Sequence, residues 1–581
     1  MSRVSLLSTA MTCTLAAGTV ALAACSRPTE APVADKPAAA PATAGTHAFN
    51  DAIHAADFAE HVKVLASDEF EGRAPGSPGE DKTVQYLEAQ FKRMGLQPGN
   101  GDSYFQTVPM VETTADESTV LKLDVKGQPS TLKFGTDMVV GTRTGKSEVK
   151  VDNSDLVFVG YGVNAPEQNW NDYAGVDVKG KTVVMFVNDP GFHSQDPKLF
   201  EGKRMTYYGR WTYKFEEAAR QGAAAALIIH DTEGASYGWD VVKNSWSGAQ
   251  FDLPAKDDPE PRLPVQGWIT GETARTLLAG LGQNLDELYK AANKPGFKAI
   301  PLPGKLSVDL KSTTGEKSSR NVVAKLPGAK RPDEAIVYMA HWDHLGNHGH
   351  EGHGEAAPAG SDTIYNGAID NATGVAGILE IAEAFSKQTP PPDRSLVFLA
   401  VTLEESGLLG SKYYVAHPAV PLDKTVAVIN LDAMPVIGLA RDMTVVGFGS
   451  SELEDILKTV AEAQQRVLHA EATPEDGFYF RSDHFNFAKA GVPALYAKGG
   501  DDLVEGGIDA GRKAQSDYRD NRYHKPGDQF DPAWKLEGVI QDLDALYGVG
   551  RTLAGSEQWP NWYEGNAFRA AHDKLMQPSA K

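Results

Sequence analysis

Apolar positions change their spacing three times along the chain, and each change predicts a different kind of structure. From Ala48 they recur as on an amphipathic helix, and a second helical run around Val84, Leu87, Phe91 and Met94 is stopped by Gly95. Between them, Ser67-Asp68-Glu69-Phe70-Glu71-Gly72-Arg73 and the Pro75 to Gly79 stretch predict a loop. From about Val108 to Leu310 the apolar runs become short and β-branched: Leu156 to Val159, Thr182 to Val187, Ala225 to Ile229. Gly, Asn and Pro separate them, predicting a mostly β module with a helix near Lys214 to Gln221.

After Ser319, buried-type strands alternate with helices. Ala335 to Ala340, Ser395 to Val401, Thr425 to Ile429 and Met443 to Val446 predict strands, and Val375 to Phe385, Leu453 to Val467 and Leu536 to Leu553 predict helices. Alternation of this kind implies an α/β fold, a mostly parallel sheet sandwiched by helices. No internal repeat is visible.

Polar residues placed just after the apolar runs carry the chemistry, because open α/β sheets gather ligands beyond the carboxyl ends of their strands. The first strand ends in His341-Trp342-Asp343-His344, the second in Glu404-Glu405 and the third in Asn430-Leu431-Asp432, while Asp370-Asn371 precedes the first crossover helix. Each βα unit thus returns a carboxylate or imidazole to one edge. The two cysteines, Cys13 and Cys25, both lie in the first segment. Metal ligands in the body must therefore be His, Asp or Glu, a donor set suited to Zn²⁺ and rich enough in acids for two ions. Adjacent Glu404 and Glu405 cannot face the same way, so one can ligate while the other serves as general base.

Net charge is −21, from 56 Lys+Arg against 77 Asp+Glu, which excludes a nucleic-acid partner on electrostatic grounds. The N-terminus adds an address. Arg3 precedes an uncharged, Leu-containing stretch, and Leu22-Ala23-Ala24-Cys25 resembles the bacterial lipobox, in which the cysteine is acylated. Export as a lipoprotein is expected, tethered to a membrane through a lipid on Cys25, with Ser26 pointing to the outer membrane or periplasm of a Gram-negative bacterium. An Ala/Pro-rich tether follows to about Thr46.

In order and spacing, Ala340-His341-Trp342-Asp343, Asn366 to Ala372, Leu403 to Ser411, Asn430-Leu431-Asp432 and Tyr523-His524-Lys525-Pro526-Gly527-Asp528 resemble the di-zinc aminopeptidases of metallopeptidase family twenty-eight. The Glu69 to Arg73 stretch is similar to the family's N-terminal part. Val159-Gly160-Tyr161-Gly162 and Arg220 to Ala225 resemble the protease-associated domain often inserted in it. The N-terminal pattern predicts a signal peptide over 1–24 and a tether over 25–46, and the resemblance implies a peptidase domain from 47–107 and 311–581 with an inserted β-rich protease-associated domain and flanking strands over 108–310.

It also implies two Zn²⁺ ions, one held by His341 and Asp432, the other by Glu405 and His524, with Asp370 bridging. Glu404 would be the base, the Asp343 carboxylate would orient His341, Tyr523 would polarise the scissile carbonyl, and the peptide after Asp370 would be cis. The implied substrates are peptides with a free N-terminus. Carboxypeptidase, dipeptidase or N-acyl amino-acid hydrolase activity on the same fold is the alternative, and a non-catalytic binding protein the third reading. The loop bearing His344, His348, His350 and His353 departs from the family and is expected to be flexible and solvated. Arg481-Ser482-Asp483-His484 is expected to form a loop near the substrate.

Overall fold

A computed structural model describes residues 47–258, 260–347 and 361–577. The expectations placed on residues 1–46, Cys25 among them, and on His348, His350 and His353 lie outside the described residues.

Four strands make the parallel centre of a mixed sheet. Arg331–His341 lies between Arg394–Val401 and Thr425–Asn430, parallel to both, and Ala494–Gly499 extends the set. Antiparallel strands flank it: Ile300–Leu326 against Arg394–Val401, Phe105–Ala115 against Ile300–Leu326, and Asp442–Val445 against Ala494–Gly499. Every residue of Arg394–Val401 and Thr425–Asn430 is buried, and within them Leu396 to Val401 and Val426 to Ile429 read as unbroken apolar runs.

The period of two still sorts their side chains between faces. Ile336, Tyr338 and Ala340 cluster with the helices Ala55–Leu65, Thr373–Lys387 and Glu537–Ala554, whereas Val337 and Met339 cluster with Tyr414, Phe487 and Trp562. Each fully buried Ile, Leu or Phe contributes about 1.5–3 kcal/mol. The molecule is therefore an α/β fold, a mostly parallel sheet with helices on both faces.

Between Val120 and Leu310 a second set of strands surrounds its own core of Leu121, Val140, Phe158, Val184, Leu227 and Leu278. The 27-residue strand Ile300–Leu326 belongs to both sets. Its first half pairs with Glu148–Phe158 and Val120–Val125, its second with Phe105–Ala115 and Arg394–Val401, and position 310 falls inside it.

Two local expectations change. The helix predicted to reach Val467 ends at Ala463, because Gln465 adopts a left-handed backbone (φ 59) and the buried Arg466 turns to Asp542 at 2.6 Å; Val467–Ala470 then forms a strand. The loop after the first helix is a 3-10 turn, Asp68–Arg73, in which left-handed Glu71 and Gly72 swing Arg73 into the interior. Among the described residues no helix is long and apolar enough to cross a membrane.

Candidate metal centre

The strand ends deliver their polar residues to one place. His341 is the last residue of Arg331–His341, Glu404 and Glu405 follow Arg394–Val401, and Asp432 follows Thr425–Asn430. Asp370 lies in the turn that opens the helix Thr373–Lys387, and His524 lies just beyond the helix Gly507–Asn521. The Asp370–Asn371 peptide is cis.

Asp370 straddles the site. Its Oδ1 lies 3.2 Å from His341 Nε2 and its Oδ2 lies 3.2 Å from His524 Nε2. His341 Nε2 is also 3.4 Å from Asp432 Oδ1, and His524 Nε2 is 3.2 Å from Glu405 Oε2. A charge-assisted hydrogen bond would close to about 2.7–2.9 Å. Donors held tetrahedrally around one ion at metal–ligand distances of about 2.0–2.1 Å are instead about 3.3 Å apart. These spacings are therefore those of ligands around a divalent cation. Ligand atoms of His341, Glu404 and Asp432, and separately of His344, Asp370 and Glu405, come within 4.8 Å of one another.

The two adjacent glutamates titrate in opposite directions. Burial, with Glu405 and Asp432 adding to it, pushes Glu404 well above the usual carboxylate range despite His341. At Glu405 burial also acts upward, but His524 and His344 outweigh it and hold the group well below that range. Asp370 is likewise held low: burial and Glu405 raise it, His341 and His524 overcome them. Burial opposes charge on His524, yet Glu405 and Asp370 lift it to about 10 in the metal-free chain. Neighbouring carboxyl groups driven apart in this way are suited to different tasks.

Some residues are placed differently from expectation. The Asp343 carboxylate is 3.9 Å from His341 Nδ1, which instead donates to the Asp343 main-chain oxygen at 3.1 Å. That hydrogen bond fixes the tautomer with Nε2 free to ligate. The carboxylate turns to accept from the Glu404 amide at 3.2 Å, and burial pushes it up to about 7. Tyr523 stacks on the His524 ring at 3.9 Å and remains half open to solvent. His344 is not part of a solvated loop: it is buried, and its Nδ1 lies 2.7 Å from Glu405 Oε1. The carboxylate provides the partner that an exposed imidazole would find in water. Ser482, from the Arg481 to His484 stretch, donates to Asp432 Oδ2 at 2.5 Å.

Two supports were not legible as such. Asp528 accepts the amides of Ile369 and Asp370, each at 3.0 Å, and so fixes the turn that presents Asp370. Arg73 is buried and, among the described residues, pairs with no carboxylate; its guanidinium donates to the carbonyls of Trp342, Leu65, Asn366 and Gly367 at 2.6–2.8 Å. It thereby ties the His341 and Asp370 loops together and sets a cation behind the acids.

Residues 321–547 match the family model for Peptidase family M28. Aminopeptidase NAALADL1 of Mus musculus is 28% identical over 261 residues, which make up 37% of this chain and 32% of that protein. A Glutamate carboxypeptidase 2 homolog of Caenorhabditis elegans is 26% identical over 318 residues, 48% of this chain and 37% of that protein. The chain thus spans about a third of the length of these curated relatives. An aminopeptidase from Aneurinibacillus sp. strain AM-1 superposes with a TM-score of 0.47 and 22% identity, covering 87% of this chain and 95% of that one. The His341, Asp370, Glu404-Glu405, Asp432 and His524 segments all lie inside the residues that match Peptidase family M28.

Proposed function

We propose that the protein is an exported, lipid-anchored aminopeptidase that uses two Zn²⁺ ions to remove N-terminal residues from peptides. The observation that carries this reading is Asp370, whose two oxygens face different imidazoles at 3.2 Å each. His341 and Asp432 would hold one ion, Glu405 and His524 the other, with Asp370 shared. When bound, such a pair supplies polarisation of the scissile carbonyl and an acidified water. Glu404, with its raised proton affinity, takes a proton from the attacking water and returns it to the departing amine nitrogen. Tyr523 donates from its hydroxyl to the carbonyl oxygen, and residues 108–310 form an inserted protease-associated module.

Charge favours an amine over a carboxylate as the anchored end of the substrate. Three ligand carboxylates and two neutral imidazoles around two divalent ions leave one formal positive charge, which Glu404 cancels once the neighbouring cations oppose its burial and keep it ionised. Such a site has little attraction for a C-terminal carboxylate, while Glu404 and Asp432 can hold a terminal amine. The curated relatives carry both aminopeptidase and carboxypeptidase names, so the end of the chain that is attacked decides between the readings. Free, N-acetylated and C-amidated peptides incubated with zinc-loaded protein test it. Acetylation should slow cleavage by about 10–100-fold, the worth of a lost charge-assisted hydrogen bond, and amidation should matter little. Release of C-terminal residues from N-acetyl peptides at an undiminished rate would overturn the aminopeptidase reading.

Anchoring is proposed from Leu22-Ala23-Ala24-Cys25, together with export to the outer membrane or periplasm of a Gram-negative bacterium. Cys25→Ser should move the protein out of the membrane fraction, and Cys13→Ser should not. Unchanged membrane association of Cys25→Ser refutes the anchor.

A further inference from the structure

His344 closes the motif His341-Trp342-Asp343-His344, yet neither the ligand set nor the proton transfers above use it. Its side chain is fully buried, and it reaches Glu405, a residue 61 positions away, through Nδ1 at 2.7 Å from Oε1. The other Glu405 oxygen, Oε2, faces His524 at 3.2 Å. These two lengths separate two relationships. The longer one is the spacing of two donors around a common ion; the shorter one is that of a hydrogen bond made directly between the groups.

An ionised carboxylate has no hydrogen to give, so the shared proton sits on His344 Nδ1. The imidazole is placed with care. Its main-chain amide donates to Arg73 at 3.3 Å, and its ring stands edge-on to the His524 ring with centroids 5.8 Å apart. Gly367 makes room for it: a Cβ there would come within 2.5 Å of the His344 ring, and the glycine is left-handed (φ 55).

We propose that His344 is a positioning residue for the second ion: it pins Glu405 Oε1 and thereby presents Oε2 to the ion shared with His524. The proposal rests on the two-ion reading. Without the donor, Oε1 would be a buried acceptor with no partner at that point and the carboxylate would be free to turn about its last bond. Groups that hold metal-ligating side chains from behind are typically worth 10–100-fold in metal affinity. Among the described residues no hydrogen bond or ion pair joins His344 to His341 or Asp432, so the other ion should respond little to it.

Stepwise removal of Zn²⁺ from the full-length loaded protein by a graded chelator tests this, with metal content and the melting temperature of the stripped protein read in parallel. In His344→Ala and His344→Leu one ion should leave at about 10–100-fold lower chelator activity than in the parent, while the other leaves within about threefold of it. His344→Asn, which keeps an N–H at nearly the same place as Nδ1, should recover most of the loss. Unchanged release of both ions in the Ala variant overturns the proposal. So does equal weakening of both, or an Asn variant no better than Leu, because either result marks a role in folding alone. A parent protein that takes up a single ion overturns the two-ion reading and this proposal with it.

Discussion

Glu404→Gln is expected to keep both ions and to lose turnover by about 10²–10⁴-fold, the usual worth of a positioned general base. The amide matches the carboxylate in shape but cannot take up a proton. The reason to assign the base to Glu404 rather than Glu405 is the divergence of their environments. Glu404 is buried beside other acids and binds a proton tightly, whereas Glu405 is committed to His344 and His524 and stays ionised. Glu405→Gln should therefore release metal. Metal analysis of the two purified variants beside their rates on one free dipeptide checks the assignment. An empty Glu404→Gln protein beside a loaded Glu405→Gln protein would show the roles exchanged.

Much of this centre can be read in the sequence because its residues stand directly after unbroken apolar runs, and burial on both faces is what makes those runs unbroken. His341, Glu404, Glu405 and Asp432 are legible in this way, since each lies no more than four residues beyond a strand. Asp370 is not positioned by a strand but is legible from its place before the first crossover helix, whereas the resemblance of its motif was needed to single out His524. What stays hidden is set by contacts distant in sequence. His344 looks like one imidazole of a polar Gly-rich loop until Glu405 is seen to complete it. Arg73 belongs to a stretch that could be noticed, but its four acceptors are main-chain carbonyls, which leave no trace in side-chain chemistry. The Asp343 carboxylate and the Asp343 carbonyl are indistinguishable as candidates for His341 in the sequence, and only geometry selects the carbonyl. The strand Ala494–Gly499 escaped because its short apolar run ends in Lys498 and Gly499.

Asp370→Asn should bind each ion about 100–4,000-fold more weakly, a loss at both positions that no other single ligand substitution should produce. Asp370 is the carboxylate placed to face both imidazoles, so neutralising it removes a counter-charge common to both cations. Breaking a buried charge pairing costs about 3–5 kcal/mol, and each 1.4 kcal/mol is tenfold in affinity. Asparagine keeps the size of the side chain, and Asp528 still receives the amides of Ile369 and residue 370, so the turn itself should persist. The metal-free protein offers a second readout that does not depend on turnover. His524 is raised to about 10 by Glu405 and Asp370 against the pull of burial. A histidine whose folded pKa is raised contributes stability that is fully present below its unfolded value of about 6.5 and is lost as pH rises through the folded value. Metal-free parent protein should therefore lose stability between about pH 6.5 and 10, and Asp370→Asn should lose less over the same window, because one of the two charges that hold the His524 proton is gone. Chelator titration of the loaded proteins and thermal unfolding of the stripped ones at pH 6.5 and 9.5 measure both effects. An Asp370→Asn protein that still carries two tightly held ions would remove Asp370 from the bridging position.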